Sequence, residues 1–223
     1  MPVGLYLFFR LTLDSDSGDT FEGLPSDLAA MVVFAVVGVA YSGLYAAGPP
    51  LAHERAIGWL RQLRVTPLPA SAAIAGKVAS AMSFALPSIG LVAAAGAMTQ
   101  DVDLAFERWL ALVAVLWFAT AAFAALGVLV GVAITSQEGA QSAAGLTLIV
   151  LWVLGGMVTT PSDLPGMLET LAHAMPTNGA AELGWATARG DTVPIWAVAV
   201  LVSWTLAAGA LAALTWRRLG GSR

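Results

Sequence analysis

Apolar residues in this chain come in long unbroken runs, and polar residues are confined to short stretches between them. Five runs are complete: Leu28–Leu51, Ala72–Met98, Trp109–Thr135, Ala143–Thr159 and Val193–Trp216. A helix needs about 20 apolar residues to cross the hydrocarbon of a bilayer. Only Ala143–Thr159 falls short of that, and it carries Gly155–Gly156 at its far end. None of the runs alternates apolar with polar residues at period two, the mark of a membrane β-barrel strand. A further apolar stretch, Pro2–Phe9, stops at Arg10. As a helix it covers only about 12 Å at ~1.5 Å per residue. It reads as the second half of a span, with an interfacial anchor as the alternative. The pattern predicts an all-α integral membrane protein. Its helical bundle is polytopic, with about six spans and the first incomplete, in one transmembrane domain over residues 1–223.

Composition agrees. Charged residues make up 11% of the 223 and hydrophobic residues 58%, against about 25% charged in a soluble domain. There are no cysteines, which excludes disulfides and thiol chemistry. The connecting stretches fall on two alternating sides. His53–Ser71, Ser136–Ser142 and Arg217–Arg223 share one side and carry most of the Lys and Arg, with Lys77 just inside the following span. Arg10, Arg108 and Arg189 lie on the other. The positive-inside rule makes the first side cytoplasmic, C-terminus included. The expected location is the cell (plasma) membrane. Trp109, Trp152, Trp185, Trp196 and Trp216 stand at or near span ends, where Trp anchors helices at the interface. Small residues recur four apart at Gly38–Ser42–Ala46, Ala72–Gly76–Ser80 and Gly127–Gly131, a spacing that lets helices approach closely in lipid.

Much chemistry is missing from the span interiors. No span core contains Asp, Glu, Arg or His, so no proton relay or ion pathway is marked. Lys77 lies close enough to the cytoplasmic end to snorkel. Intramembrane hydrolysis lacks paired acids, and the two histidines, His53 and His173, fall in opposite loops. Neither a catalytic pair nor a metal site follows. The outer acids Asp14, Asp16, Asp19 and Glu22 lack the spacing of a Ca²⁺ loop. Gly76–Lys77 resembles the end of a phosphate-binding loop, but Ser71 and Val78 stand where that loop needs Gly and Ser or Thr. No cofactor is expected, and any energy for uphill movement must come from another polypeptide.

The one wet stretch with a distinctive pattern is His53–Ser71. Glu54 to Val65 is expected as a short helix with Trp59, Leu60 and Leu63 on one side. Pro67 and Pro69 force a bend before the return into the membrane. Arg61 and Arg64 could meet anionic headgroups or a protein. Glu54–Arg55, Gly58, Leu60, Leu63, Thr66–Pro67–Leu68 and Gly76–Lys77 look like the E-R-x-x-G-x-L-x-x-L-x-x-T-P-L…G-K signature of the ABC-2 permease family. These are the membrane subunits of ATP-binding-cassette exporters. Ser162–Asp163–Leu164–Pro165, Leu168–Leu171 and Met175–Pro176–Thr177 are similar to the family's extracellular segment between its last two spans, where two short helices commonly dip into the outer face. That segment is placed at residues 160–192. Trp59 and Arg61 depart from the family, which often has a small polar residue and an acid there.

The resemblance implies a permease subunit of an ABC exporter, not an enzyme. Separate ATPase subunits would bind the ATP, and a second permease copy or paralogue would complete the path within the lipid bilayer. No nucleic-acid partner is implied. Residues 53–71 would be the cytoplasmic coupling segment, with Glu54, Arg55, Gly58, Trp59, Leu60, Arg61, Leu63, Arg64, Thr66 and Pro67 contacting the ATPase. The substrate would be amphiphilic: a drug, a lipid or a lipid-linked glycan. Ser42, Ser80, Ser83, Ser88, Thr120 and Thr147 are candidates for the path, each with hydrogen bonding to its own helix as the alternative. A second functional reading is a non-transporting membrane scaffold or regulatory subunit derived from a truncated permease.

Overall fold

The computed structural model describes residues 4, 20–21, 23–58, 70–99, 104–157 and 165–221. Among these a two-residue hairpin, β1 (Thr20–Phe21) with β2 (Leu24–Pro25), leads into seven helices. They are α1 (Ser26–Ala56), α2 (Ala70–Thr99), α3 (Phe106–Ala133), α4 (Gln137–Leu154), α5 (Gly166–His173), α6 (Pro176–Arg189) and α7 (Ile195–Gly221). Four of them, α1, α2, α3 and α7, are long and apolar enough to cross a membrane. The protein is therefore an all-α polytopic membrane protein. The expected span Ala143–Thr159 is helical to Leu154, and Gly156 then takes φ +72°.

The bundle is built around α1 and α3, which run parallel and share its most extensive interface. Glycine makes that closeness possible. A Cβ on Gly43 would stand 2.7 Å from Phe123 Cβ and 2.8 Å from the backbone nitrogen of Ala124. One on Gly127 would stand 2.8 Å from the carbonyl oxygens of Gly43 and Leu44, and Gly131 faces Gly48 and Leu51. The two backbones are nearly in contact, as small residues allow in lipid. The Gly127–Gly131 pair is thus a packing face. Its counterpart on α1 is Gly43, Leu44 and Gly48, one residue round the helix from the expected Gly38–Ser42–Ala46. Ala72, Gly76 and Ser80 instead face outward, and a Cβ on Gly76 would meet nothing among the described atoms within 4 Å.

Ala47, Leu51, Ile74, Ala81, Ala124, Val128, Val132 and Ala212 form a compact core at the end of the bundle where α1 finishes, with Trp216 packed on it. The larger core fills the rest. Bulky apolar side chains such as Phe84, Leu91, Leu110, Ile149, Leu206 and Leu211 remain exposed. A bilayer accepts that surface where water would not.

At the opposite end, α5 and α6 form a short helical pair inserted among the long helices. Almost all of α6 is buried. Its first turn carries two polar side chains without exposed surface to solvate them, Thr177 and Asn178. Thr177 Oγ1 donates to the Leu151 carbonyl at 2.6 Å and Asn178 Nδ2 to the Gly155 carbonyl at 3.3 Å, both at the end of α4. His173 Nδ1 donates to Asn178 Oδ1 at 3.1 Å. Trp204 Nε1 of α7 donates to the Ala174 carbonyl at 2.7 Å, which satisfies the end of α5. The far end of α6 stops at Gly190 with φ +81°, and Arg108 Nη1 of α3 reaches its Ala188 carbonyl at 3.5 Å.

Candidate coupling site at the end of α1

Helix α1 does not stop at the edge of the apolar bundle. It continues through Pro49 and Pro50 to His53, Glu54, Arg55 and Ala56. The prolines have no amide hydrogen, so the carbonyls of Tyr45 and Ala46 lose their usual intrahelical donors. Tight packing against α3 holds the helix through this point. A Cβ on Gly48 would stand 3.0 Å from the Gly127 carbonyl oxygen.

The helix ends at Gly58. Ile57 N–H donates to the His53 carbonyl at 3.0 Å and Gly58 N–H to the Arg55 carbonyl at 3.1 Å. Gly58 has φ +79°, a left-handed conformation that closes helix ends and that only glycine adopts cheaply. This gives a physical reason for glycine in the E-R-x-x-G pattern, and it corrects one expectation. A single helix from Glu54 to Val65 is not present: Glu54–Ala56 are the last residues of α1, and the backbone reverses handedness at Gly58. Ile57 on this turn is 65% exposed.

Neighbouring residues Glu54 and Arg55 reach in different directions. Arg55 Nη1 donates to the carbonyls of Gly131 at 3.3 Å, Ile134 at 3.2 Å and Val132, all at the end of α3. The last carbonyls of a helix lack intrahelical donors and carry its negative dipole end. A guanidinium there satisfies the first and offsets the second, an effect of about 1–2 kcal/mol where partly buried. Glu54 Oε1 pairs with Lys77 Nζ on α2. Both side chains are about a quarter exposed, so this pair contributes about 1 kcal/mol or less. Its geometric effect is larger, since it ties α1 to α2 while Arg55 ties α1 to α3. Lys77, expected as a boundary anchor, has a protein partner.

Of the residues expected to contact an ATPase, the structure brings Glu54, Arg55 and Gly58 together at this joint. Trp59, Leu60, Arg61, Leu63, Arg64, Thr66 and Pro67 lie outside the described residues. The sequence did carry a signal for the inward partners. Within the five apolar runs of the sequence Lys77 is the one Asp, Glu, Lys, Arg or His, and an isolated charge there calls for a counter-charge. Among the polar candidates for a path, Thr120 Oγ1 donates to Leu116 O at 3.1 Å and Ser83 Oγ to Ala79 O at 3.0 Å, each within its own helix. Two further polar groups went unread. Tyr41 and Tyr45, four apart on α1, stack with centroids 4.3 Å apart. The Tyr45 hydroxyl lies beside Gly145 of α4, where a Cβ would stand 2.9 Å from it.

Comparison with known proteins agrees with this architecture. Residues 2–183 match the sequence model of the ABC-2 type transporter family. YvfS of Bacillus subtilis (strain 168), named as a candidate transport permease, is 28% identical over 201 residues, covering 88% of this chain and 78% of that one. The glycine-stopped E-R turn, the apolar bundle behind it and a match running through most of the sequence place this chain in the ABC-2 type transporter family.

Proposed function

We propose that this permease works with separate ABC ATPase subunits to export an amphiphilic molecule: a drug, a lipid or a lipid-linked glycan. In this reading residues 53–71 form the cytoplasmic contact with the ATPase, and the C-terminus lies on the same side. ATP is bound by the partner, and this chain carries no cofactor. A second permease copy or a paralogue completes the path.

The observation that carries the reading is the end of α1. It projects a turn with exposed Ile57 beyond the compact core, and the base of that turn is bonded to both α2 and α3. A partner pressing on this segment would act on three membrane helices at once. Movement of packed helices as rigid bodies is an established route for such transmission. An amphiphilic substrate is supported by the apolar bundle and by span interiors without carboxylates or guanidinium groups.

The test is purification of the permease with the ATPase subunit of its own complex, followed by measurement of ATP hydrolysis. The wild type should retain the ATPase and support hydrolysis that rises with an amphiphilic substrate. Replacing Leu60→Asp and Leu63→Asp together should abolish co-purification while the permease still folds and inserts. Retention of the ATPase by that double variant would show that the contact lies elsewhere. A wild-type permease that never captures an ATPase would point to the scaffold reading.

A further inference from the structure

We propose that Arg55 is a positioning residue that makes the end of α3 follow the end of α1, rather than a residue that binds the ATPase. This deepens the reading above, and rests on residues 53–71 being the ATPase contact, but removes Arg55 from that contact because its guanidinium is turned inward onto α3. Three observations converge on it. Arg55 spends its guanidinium on three carbonyls of one helix end, Gly131, Val132 and Ile134. Those groups are otherwise unpaired by the geometry of a helix terminus, so the bond set is specific to that end. Directly behind the clamp, Gly48 and Gly131 bring the two backbones together, and Gly131 also meets Leu51. And α1 itself is weakened between Arg55 and its apolar body, because Pro49 and Pro50 remove two consecutive intrahelical bonds.

The consequence is directional. A push on His53–Gly58 meets a weakened point in its own helix and a charged attachment to the carbonyl end of the neighbouring one. Motion therefore passes sideways into α3 as well as along α1. Glu54 adds the matching tie to Lys77 on α2, but as a single ion pair, partly exposed, it is the weaker of the two. Lysine at position 55 keeps the charge but carries it on a shorter side chain with a differently shaped head group, so it should replace the clamp only in part.

The experiment uses the full chain in its complex with the ATPase. The absence of native cysteines allows spin labels at Ala56→Cys and Thr135→Cys, both exposed, on either side of the clamp. The distance between them is measured without nucleotide and after trapping with ATP and vanadate. In the Arg55-containing chain the distance should stay constant. With R55A it should become nucleotide-dependent, by a shift on the order of a helical turn, 5 Å, while the ATPase still co-purifies and hydrolyses ATP. R55K should lie between the two. A distance that varies with nucleotide when Arg55 is present overturns the clamp, and so does a constant distance in R55A. Loss of the ATPase in R55A overturns it differently, by making Arg55 a docking contact. Should R55A fail to fold, R55K carries the comparison, and a distance as constant in R55K as in the Arg55-containing chain overturns the clamp. Failure of the underlying reading is separate and visible at once, as absence of ATPase from the Arg55-containing complex.

Discussion

Gly131 and Gly76 are both helical glycines, yet only one has a reason to be small. A side chain on Gly131 would press into the Gly48 carbonyl and Leu51, whereas a Cβ on Gly76 would meet no atom of the described residues within 4 Å. Gly131→Ala should therefore destabilise the protein by about 1–3 kcal/mol, the usual cost of overpacking a closed contact. Gly76→Ala should be neutral or stabilising by up to about 1 kcal/mol, because alanine restricts the helix less unfavourably than glycine. Thermal unfolding in detergent, followed by tryptophan fluorescence, distinguishes the two, and equal effects would show that α1 and α3 are not held in backbone contact. Spacing alone did not separate these residues. Both belong to four-apart series of small residues, and the period says that a face is smooth without saying what it meets. Glu54 and Arg55 stand out in the sequence for a different reason: they resemble a signature. Their inward bonds were not legible, since the carbonyls of Gly131, Val132 and Ile134 leave no trace in the residue types.

At the scale of the elements, the long helices were plain from their apolar runs, and α6 was not. Thr177, Asn178, Glu182 and Arg189 give it the look of a surface helix, yet most of it is buried. It tolerates burial because Ala180, Ala181, Gly184 and Ala188 let neighbours come close, and because its first polar side chains bond to the carbonyls at the end of α4. Asn178→Leu removes one donor and one acceptor from this arrangement, leaving the Gly155 carbonyl and His173 Nδ1 without their partner. The expected cost is about 1–3 kcal/mol. Hydrogen exchange should show it as faster exchange of α6 amides with little change in α2, and a uniform increase across the protein would mean that α6 is not a separate unit of stability. The end of α1 failed to match its expected form for a local reason. Apolar spacing from Glu54 to Val65 favours a helix, but Gly58 adopts φ +79° and ends it first.

For the whole molecule, the alternation of apolar runs gave the class of fold and the uneven distribution of arginine suggests its orientation. What the runs could not give is adjacency: that α1 and α3 lie parallel as the central pair, with α2 antiparallel to both. Orientation can be tested with the same cysteine-free chain. Gln137→Cys and Val193→Cys lie in exposed positions at opposite ends of the bundle. In intact cells a membrane-impermeant maleimide should label Val193→Cys and spare Gln137→Cys until the membrane is opened. The reverse pattern would invert the assignment and move the proposed ATPase contact to the wrong side for ATP.

The bonds that hold the α5–α6 pair also constrain the order in which the protein can be assembled. The long apolar helices can each enter a bilayer alone, since nearly all of their backbone polar groups are satisfied internally. The α5–α6 pair cannot, because Thr177 and Asn178 need the end of α4, and the Ala174 carbonyl needs Trp204 of α7. Trp204 is synthesised after the pair it secures. The bond from Trp204 that secures the end of α5 can therefore form only after α7 has been made.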